Sequence, residues 1–447
     1  MTNEKYGLIG KTLVHSYSKE IHEALGRYQY QLFSLAEDEM PDFINARDFR
    51  GLNVTIPYKK EVIPLCDEVT DLARGIGAVN TLFWKNASET GASESISQED
   101  KILVGHNTDY EGFLYAASRA GIDFEGKGVL ILGTGGTSLM ARRAAADQNA
   151  AKIYIASRHP ETDPPSGSEI QDAGILSTVS YDQLPEIADS IDVIVNTTPV
   201  GTFPNNMQQV ICLKDFPGCQ AVIDVIYNPF KTALLLEAEK LGLKYTNGLP
   251  MLVAQATAAA GYFLGTPGAF QKENQRIIKS MKQQMGNIVL IGMPGTGKSL
   301  IGKLLAELTG KTLQDTDAKI EEEAKMTIPE IFEKEGEAGF RDRESAICKK
   351  LGKERNLIIA TGGGAILRPE NVDALRQNGT LVHITRSIDK LPTRGRPLSK
   401  NIETLKKMEA QRMPLYKAAA DITFRNNYTC SRKKLRQRVN TYILEKL

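Results

Sequence analysis

Cysteine is scarce in this chain. Cys66, Cys212, Cys219, Cys348 and Cys430 are scattered through 447 residues, and no pair has C-x-x-C spacing. That argues against a zinc ribbon and a disulfide framework, and it fits a reducing compartment. Excess charge of one sign is also missing: 55 Lys and Arg stand against 54 Asp and Glu, a net +1. There is thus no electrostatic case for nucleic acid or an acidic membrane surface as a partner. No apolar run approaches membrane-spanning length. The first residues, with Asn3, Glu4 and Lys5, do not read as a signal peptide. The expectation is a cytoplasmic protein acting on small molecules, with its oligomeric state open. Hydrophobic content of 41% and charged content of 24% are ordinary for a globular protein. The length calls for two or three domains.

The most informative stretch is Gly292-Met293-Pro294-Gly295-Thr296-Gly297-Lys298-Ser299, which reads G-x-x-x-x-G-K-S. Residues 287–291 before it form a buried-strand run, and residues 300–306 after it have helical spacing. That context makes the pattern a phosphate cradle rather than a Gly-rich turn. Its backbone N–H groups converge on phosphate oxygens at the positive end of a helix. Lys298 is placed to reach the β- and γ-phosphates, and Ser299 to ligate Mg²⁺.

A second glycine turn lies upstream. Strand residues 128–132 run into Gly133-Thr134-Gly135-Gly136-Thr137-Ser138, a G-x-G-x-x-S pattern followed by an Ala- and Arg-rich helix. The next strand, 152–156, completes a βαβ unit, so a Rossmann-type dinucleotide fold is predicted. That strand ends in Ser157-Arg158 with no Asp or Glu, and an arginine there favours the 2′-phosphate of NADP over the ribose hydroxyl of NAD. Further strands at 192–196 and 221–225 continue a parallel pattern.

The first hundred residues are less explicit. Strands are predicted at 6–10, 51–56, 75–82 and up to Asp109, and an exposed loop at 86–100. Ser16 and Ser18 sit at a strand-to-helix turn, where hydroxyls commonly cap the helix. Lys59 follows Pro57, and a lone lysine there is usually solvated.

Taken together, these residues carry a resemblance. His15-Ser16-Tyr17-Ser18, Asn53-Val54-Thr55-Ile56-Pro57-Tyr58-Lys59, Gly77-Ala78-Val79-Asn80-Thr81, Asn107-Thr108-Asp109, the Gly133–Gly136 turn, Asn196-Thr197-Thr198-Pro199 and the run 248–255 resemble shikimate dehydrogenase, in that family's order, over residues 6 to about 284. The resemblance implies that Lys59 and Asp109 form the catalytic pair. It implies that Ser16, Ser18, Thr55, Asn80, Asp109, Tyr227 and Gln255 hold the substrate. It also implies that Gly133, Thr134, Gly135, Gly136, Thr137, Ser157, Arg158, Val225 and Gly248 surround NADP(H). Departures from the family pattern are Lys19, Tyr110, and the absence of the usual Thr and Lys after Arg158.

The P-loop, with Asp315-Thr316-Asp317, Gly339-Phe340-Arg341-Asp342-Arg343-Glu344, Gly362-Gly363-Gly364, Arg394-Gly395-Arg396-Pro397 and Gln411-Arg412-Met413-Pro414, resembles shikimate kinase over residues 285–447. The implied roles are Asp317 as substrate grip and proton acceptor, Arg341 and Arg412 as carboxylate clamps, and Gly363 beside the substrate ring. Gly295, Thr296, Gly297, Lys298, Ser299 and Leu300 would surround ATP, Arg396 would close a lid over it, and Asp315 would support the Mg²⁺ held by Ser299. Arginine is the residue expected where a carboxylate is gripped by two parallel hydrogen bonds. The basic run Arg432-Lys433-Lys434 reads as a solvated helix face.

The predicted architecture is therefore α/β throughout. A substrate domain comprises about 1–108 with the helices of 249–284, an NADP-binding domain covers about 109–248, and a kinase domain covers 285–447. An amphipathic helix at 270–285 joins the halves. The implied function is NADPH-dependent reduction of 3-dehydroshikimate followed by ATP-dependent phosphorylation of shikimate. A quinate-preferring first half, or one half acting only as a nucleotide sensor, are the rival readings.

Overall fold

The computed structural model describes residues 5–13, 16–86, 101–162, 174–391, 402–427 and 431–447. The predicted loop at 86–100, the lid with Arg396, and His15 therefore fall, wholly or almost so, outside the described residues. The chain divides into two compact units. The first comprises Met1–Gly201 with Gln208–Lys279, and the second Thr202–Met207 with Ser280–Leu447. The division thus falls five residues before the expected 284/285 boundary, within the helix Asn274–Met285, and residues 202–207 group with the second unit.

The first unit holds two six-stranded sheets. One contains β1 (Tyr6–Gly10), β2 (Tyr30–Ser34), β3 (Gly51–Val54), β4 (Glu68–Val69), β5 (Thr81–Asn86) and β6 (Lys101–His106), in the order β2-β1-β3-β5-β6-β4. Strands β1, β2 and β3 run parallel, while β5 is antiparallel to both β3 and β6. The predicted strand at 75–82 begins only at Thr81. Residues 71–76 are helical instead, because Thr70 caps a short helix there and Gly77, at φ +74°, ends it.

The second sheet contains β7 (Gly128–Leu132), β8 (Lys152–Ser157), β9 (Leu176–Ser180), β10 (Val193–Asn196), β11 (Ala221–Asp224) and β12 (Lys244–Thr246). Its order is β12-β11-β10-β7-β8-β9, and every pairing is parallel. This is the doubly wound dinucleotide topology, with its switch point between β7 and β10. Alternate residues feed two cores. Val129, Ile131, Val193 and Val195 face one side, and Leu130, Leu132, Ile194 and Val222 face the other.

The second unit is built on five parallel strands: β13 (Asn287–Ile291), β14 (Thr312–Asp315), β15 (Leu357–Ala360), β16 (Gly379–Thr385) and β17 (Ile422–Arg425), in the order β14-β15-β13-β16-β17. The run 339–344 lies inside a helix. The segment Ile328–Lys353 is helical throughout except at Gly336, whose φ of +71° breaks it into two arms. Asp317 likewise sits in the first turn of the helix Thr316–Ala324, since the strand stops at Asp315.

Candidate active sites

In the first unit, a cavity of about 350 Å³ is lined by Ser16, Ser18, Thr55, Lys59, Asn80, Asp109, Tyr227 and Gln255. These are all the substrate and catalytic residues expected there. Lys59 follows β3, and Asp109 opens the helix Asp109–Arg119. Lys59 Nζ donates to Asp109 Oδ2 over 2.6 Å, and both side chains are largely withdrawn from water. The Asp109 turn is fixed by its neighbours. Asn107 Oδ1 accepts from the Asp109 N–H, and Asn107 Nδ2 donates to the Ala78 carbonyl. Asn80 is held from several sides. Its Oδ1 accepts from the Thr108 N–H at 2.7 Å and from Thr81 Oγ1 at 2.9 Å, and its Nδ2 donates to Gln255 Oε1 at 3.1 Å. The expected capping role of Ser16 is not seen as such. Tyr17 holds the N-cap position, and the Ser16 hydroxyl, one residue before it, accepts from the N–H of Ser18, the first helical residue.

The glycine turn after β7 has Gly133 at φ +102°. A Cβ at Gly135 or Gly136 would meet nothing within 4 Å, so bare backbone faces open space at the start of a 12-residue helix. Ser138, the departure from the glycine pattern, is fully buried and accepts from Arg142 Nε. Arg158 is exposed just past β8; burial raises the nearby Tyr181 phenol above its ordinary value, and the Arg158 charge opposes that in part. The Ser157 hydroxyl accepts from the His159 N–H. Gly248 is buried, and a Cβ there would fall 1.9 Å from the Val225 carbonyl oxygen, so its missing side chain serves loop packing.

In the second unit, a cavity of about 560 Å³ is lined by Gly295, Gly297, Lys298, Ser299, Leu300, Asp315, Asp317, Arg341, Gly363 and Arg412. Gly292, Gly295 and Gly297 have φ of +145°, +86° and +95°. Lys298 Nζ donates to the Gly292 and Met293 carbonyls, so it lies along the loop. Thr296 is an exception among the expected ATP residues. Its side chain is buried and its hydroxyl donates to the Met293 carbonyl. Ser299 Oγ donates to Asp315 Oδ2 at 3.1 Å, and Asp315 Oδ1 accepts from the Asp317 N–H.

Burial pushes the Asp317 carboxyl up to about 6, with Asp315 and Glu344 adding repulsion and Lys298 opposing them. Its Oδ1 is buried without a hydrogen-bond partner. Arg341 is buried and bonded to Glu344 at 2.7 Å and Glu337 at 3.0 Å. Arg412 Nη1 donates to the Gly363 carbonyl, which also accepts from Tyr416. Burial lowers the Arg412 guanidinium from its ordinary value, and the charge of Arg341 acts the same way. The two guanidiniums thus line one cavity, Arg341 paired with carboxylates and Arg412 with a backbone carbonyl.

Comparison with known proteins finds two families. The family model for the shikimate dehydrogenase substrate binding domain matches residues 8–82, and that for shikimate kinase matches residues 294–447. The chain is 34% identical over 262 residues to the shikimate dehydrogenase (NADP(+)) of Clostridium perfringens strain SM101, covering 57% of this chain and 90% of that relative. It is 47% identical over 145 residues to the shikimate kinase of Nitrosomonas europaea, covering 31% of this chain and 69% of that relative. The chain belongs to both families, shikimate dehydrogenase and shikimate kinase. Among solved structures it is similar to a chorismate mutase/shikimate 5-dehydrogenase fusion protein from Clostridium acetobutylicum, with a TM-score of 0.54 and 32% identity over 63% of this chain and 98% of that one.

Seen as a dehydrogenase joined to a kinase, the chain also shows site residues that motif reading passed over. Glu344 and Glu337 brace Arg341; their i,i+3 and i,i+4 spacing along one helix was the available signal. Asn53 stands behind Asn80, donating to the Asn80 carbonyl while accepting from Tyr30.

Proposed function

We propose that the chain carries out two consecutive reactions: reduction of 3-dehydroshikimate to shikimate at residues 1–284, and phosphorylation of shikimate at residues 285–447. For the first, the Lys59–Asp109 pair, within one cavity that also holds Asn80 and Gln255, carries the reading. NADPH, held at Gly133–Gly136 and Arg158, supplies the hydride when bound, and the open bare backbone of that turn fits a pyrophosphate. Lys59 delivers a proton to the ketone oxygen and takes one back in the oxidative direction. Asp109 keeps the ammonium aimed. Asn80 and Gln255, already locked by their neighbours, orient the ring hydroxyls, while Ser16 and Ser18 meet the carboxylate.

For the second reaction, Asp317 takes the proton of the hydroxyl that is phosphorylated, a task suited to a carboxyl raised toward neutral pH. Arg341 and Arg412 clamp the substrate carboxylate. The left-handed glycines and Lys298 fit the ATP phosphates. Ser299 and Asp315, one hydroxyl and one carboxylate already in contact, suit a Mg²⁺ that keeps most of its waters and the nucleotide's oxygens. ATP supplies the phosphoryl group.

The test is to incubate the whole chain with 3-dehydroshikimate, NADPH, ATP and Mg²⁺. NADPH is oxidised and shikimate 3-phosphate appears; quinate in place of shikimate supports much slower oxidation with NADP⁺. Absence of either product would end the two-reaction reading for the half concerned.

Cofactor choice makes a second prediction. Loss of the Arg158 contact to a 2′-phosphate costs about 1.5–3 kcal/mol, roughly ten- to a hundredfold in affinity. Arg158→Asp is expected to equalise kcat/KM for NADPH and NADH or to invert their order. An undiminished preference for NADPH in that variant assigns the discrimination to another residue.

A further inference from the structure

Asp224 ends β11, fully buried, at the carboxyl edge of the dinucleotide sheet. It pairs in register with Asn196, the last residue of β10. Three donors converge on its carboxylate. Thr232 Oγ1 donates to Oδ2 at 2.6 Å, and Asn196 Nδ2 and the Ile226 N–H both donate to Oδ1 at 3.1 Å. The loop 225–230 that follows is fastened along its length. The Val225 N–H donates to the Asn196 carbonyl, and the Gly248 N–H donates to the Ile226 carbonyl. Asn247 Nδ2 donates to the Phe230 carbonyl. That loop carries Tyr227, which lines the substrate cavity and meets the Tyr17 ring edge-on.

A fully buried carboxylate with no cationic partner among the described residues is expensive, and the three neutral donors offset the cost only in part. The expense has a return in geometry. An ionised carboxylate accepts all three bonds more strongly than a neutral acid does, and together they tie the ends of β10 and β11 and the turn at Thr232 to one point. We propose that Asp224 is a positioning residue of the dehydrogenase, whose ionised carboxylate pins the loop 225–230 and thereby holds Tyr227 in the wall of the substrate cavity. This rests on the dehydrogenase activity proposed above.

Burial pushes this carboxyl up to about 6, while Thr232, Ile226 and Asn196 hold it down; no charged side chain contributes among the causes of the shift. Protonation below that value removes the charge that strengthens all three bonds and turns one oxygen into a donor, so the ties to Asn196, Ile226 and Thr232 weaken. The sign for stability is opposite to the sign for activity. A carboxyl raised on folding favours the fold most at low pH and loses that contribution as pH rises through about 6. The loop loosens in acid just as the buried charge is relieved.

The experiment is the pH dependence of kcat/KM for NADP⁺-dependent oxidation of shikimate by the full chain. In the parent chain it falls about tenfold per unit below about pH 6. In Asp224→Asn it is about ten- to a hundredfold lower at neutral pH and flat through that range, with no loss in melting temperature. Thr232→Val removes a donor that favours the charged form, so the acid limb moves to higher pH, whereas Thr232→Ser keeps the bond and leaves the limb in place. Shikimate phosphorylation is unchanged in all three. Should Asp224→Asn fail to fold, the Thr232 pair decides alone. An unaltered acid limb in Asp224→Asn or in Thr232→Val overturns the proposal. A parent chain that does not oxidise shikimate at all refutes the proposed activity instead.

Discussion

Lys59→Ala is expected to lower kcat for ketone reduction by about 10²- to 10⁴-fold, the usual worth of a placed acid–base group, while shikimate phosphorylation keeps its parent rate. The expectation comes from the 2.6 Å contact with Asp109 and from the shielding of both side chains. With the lysine gone, no cationic proton donor remains among the described residues of the cavity wall, since burial lowers the His22 imidazole to about 3, and Asp109 loses the partner it aims. Removing one member of a shielded pair also costs stability, of order 3–5 kcal/mol where burial is complete and less here, so circular dichroism and NADPH binding must accompany the rates. The deciding comparison is within one polypeptide, since the kinase rate reports whether the preparation is intact. Near-parent reduction by the folded variant would remove Lys59 from the chemistry. Simultaneous loss of phosphorylation would show that the two activities are not independent.

The second large effect is expected from Asp317→Asn, which should cut kcat for phosphorylation by a similar 10²- to 10⁴-fold and leave reduction untouched. Asparagine matches aspartate in shape but cannot accept a proton. Asp317 Oδ1 has no hydrogen-bond partner to lose, and the substitution removes repulsion from Asp315 and Glu344. The variant should therefore fold at least as well as the parent. ATP affinity, measured by displacement of a fluorescent nucleotide, is expected to hold. If the loss lay in ATP binding with kcat preserved, Asp317 would belong to the nucleotide site and not to proton removal.

Much of this architecture was legible because its signals are local. The P-loop needs only a strand, glycines and a helix within about twenty residues, and Gly292 to Ser299 supply them in order. The dinucleotide turn at Gly133 is legible for the same reason. Lys59 and Asp109 lie fifty residues apart in sequence, and only the family resemblance, not their spacing, suggested a pair. Asp224 was opaque for a different reason. An aspartate at a strand end looks like any turn residue until Thr232, Asn196 and the Ile226 backbone are seen to converge on it. Gly336 was missed because the flanking residues are good helix formers, so nothing nearby announces a break that one glycine makes. The strand expected at 75–82 failed through competition: Thr70 and Gly77 give that stretch a capped helix, and local capping outweighed the apolar run.

The break at Gly336 divides the helical wall of the kinase cavity into two arms. Beyond it, the arm with Phe340, Arg341 and Glu344 is buried against the core. Before it, Ile328, Pro329 and Phe332 line the same cavity from a short arm. Among the contacts that bridge the arms are the Phe332–Phe340 ring stack at 4.8 Å and the Arg343–Glu335 ion pair at 2.7 Å on the exposed side. Salt screens the second and leaves the first untouched. Raising the salt concentration therefore loosens the exposed tie between the arms and leaves the ring stack that faces the cavity in place.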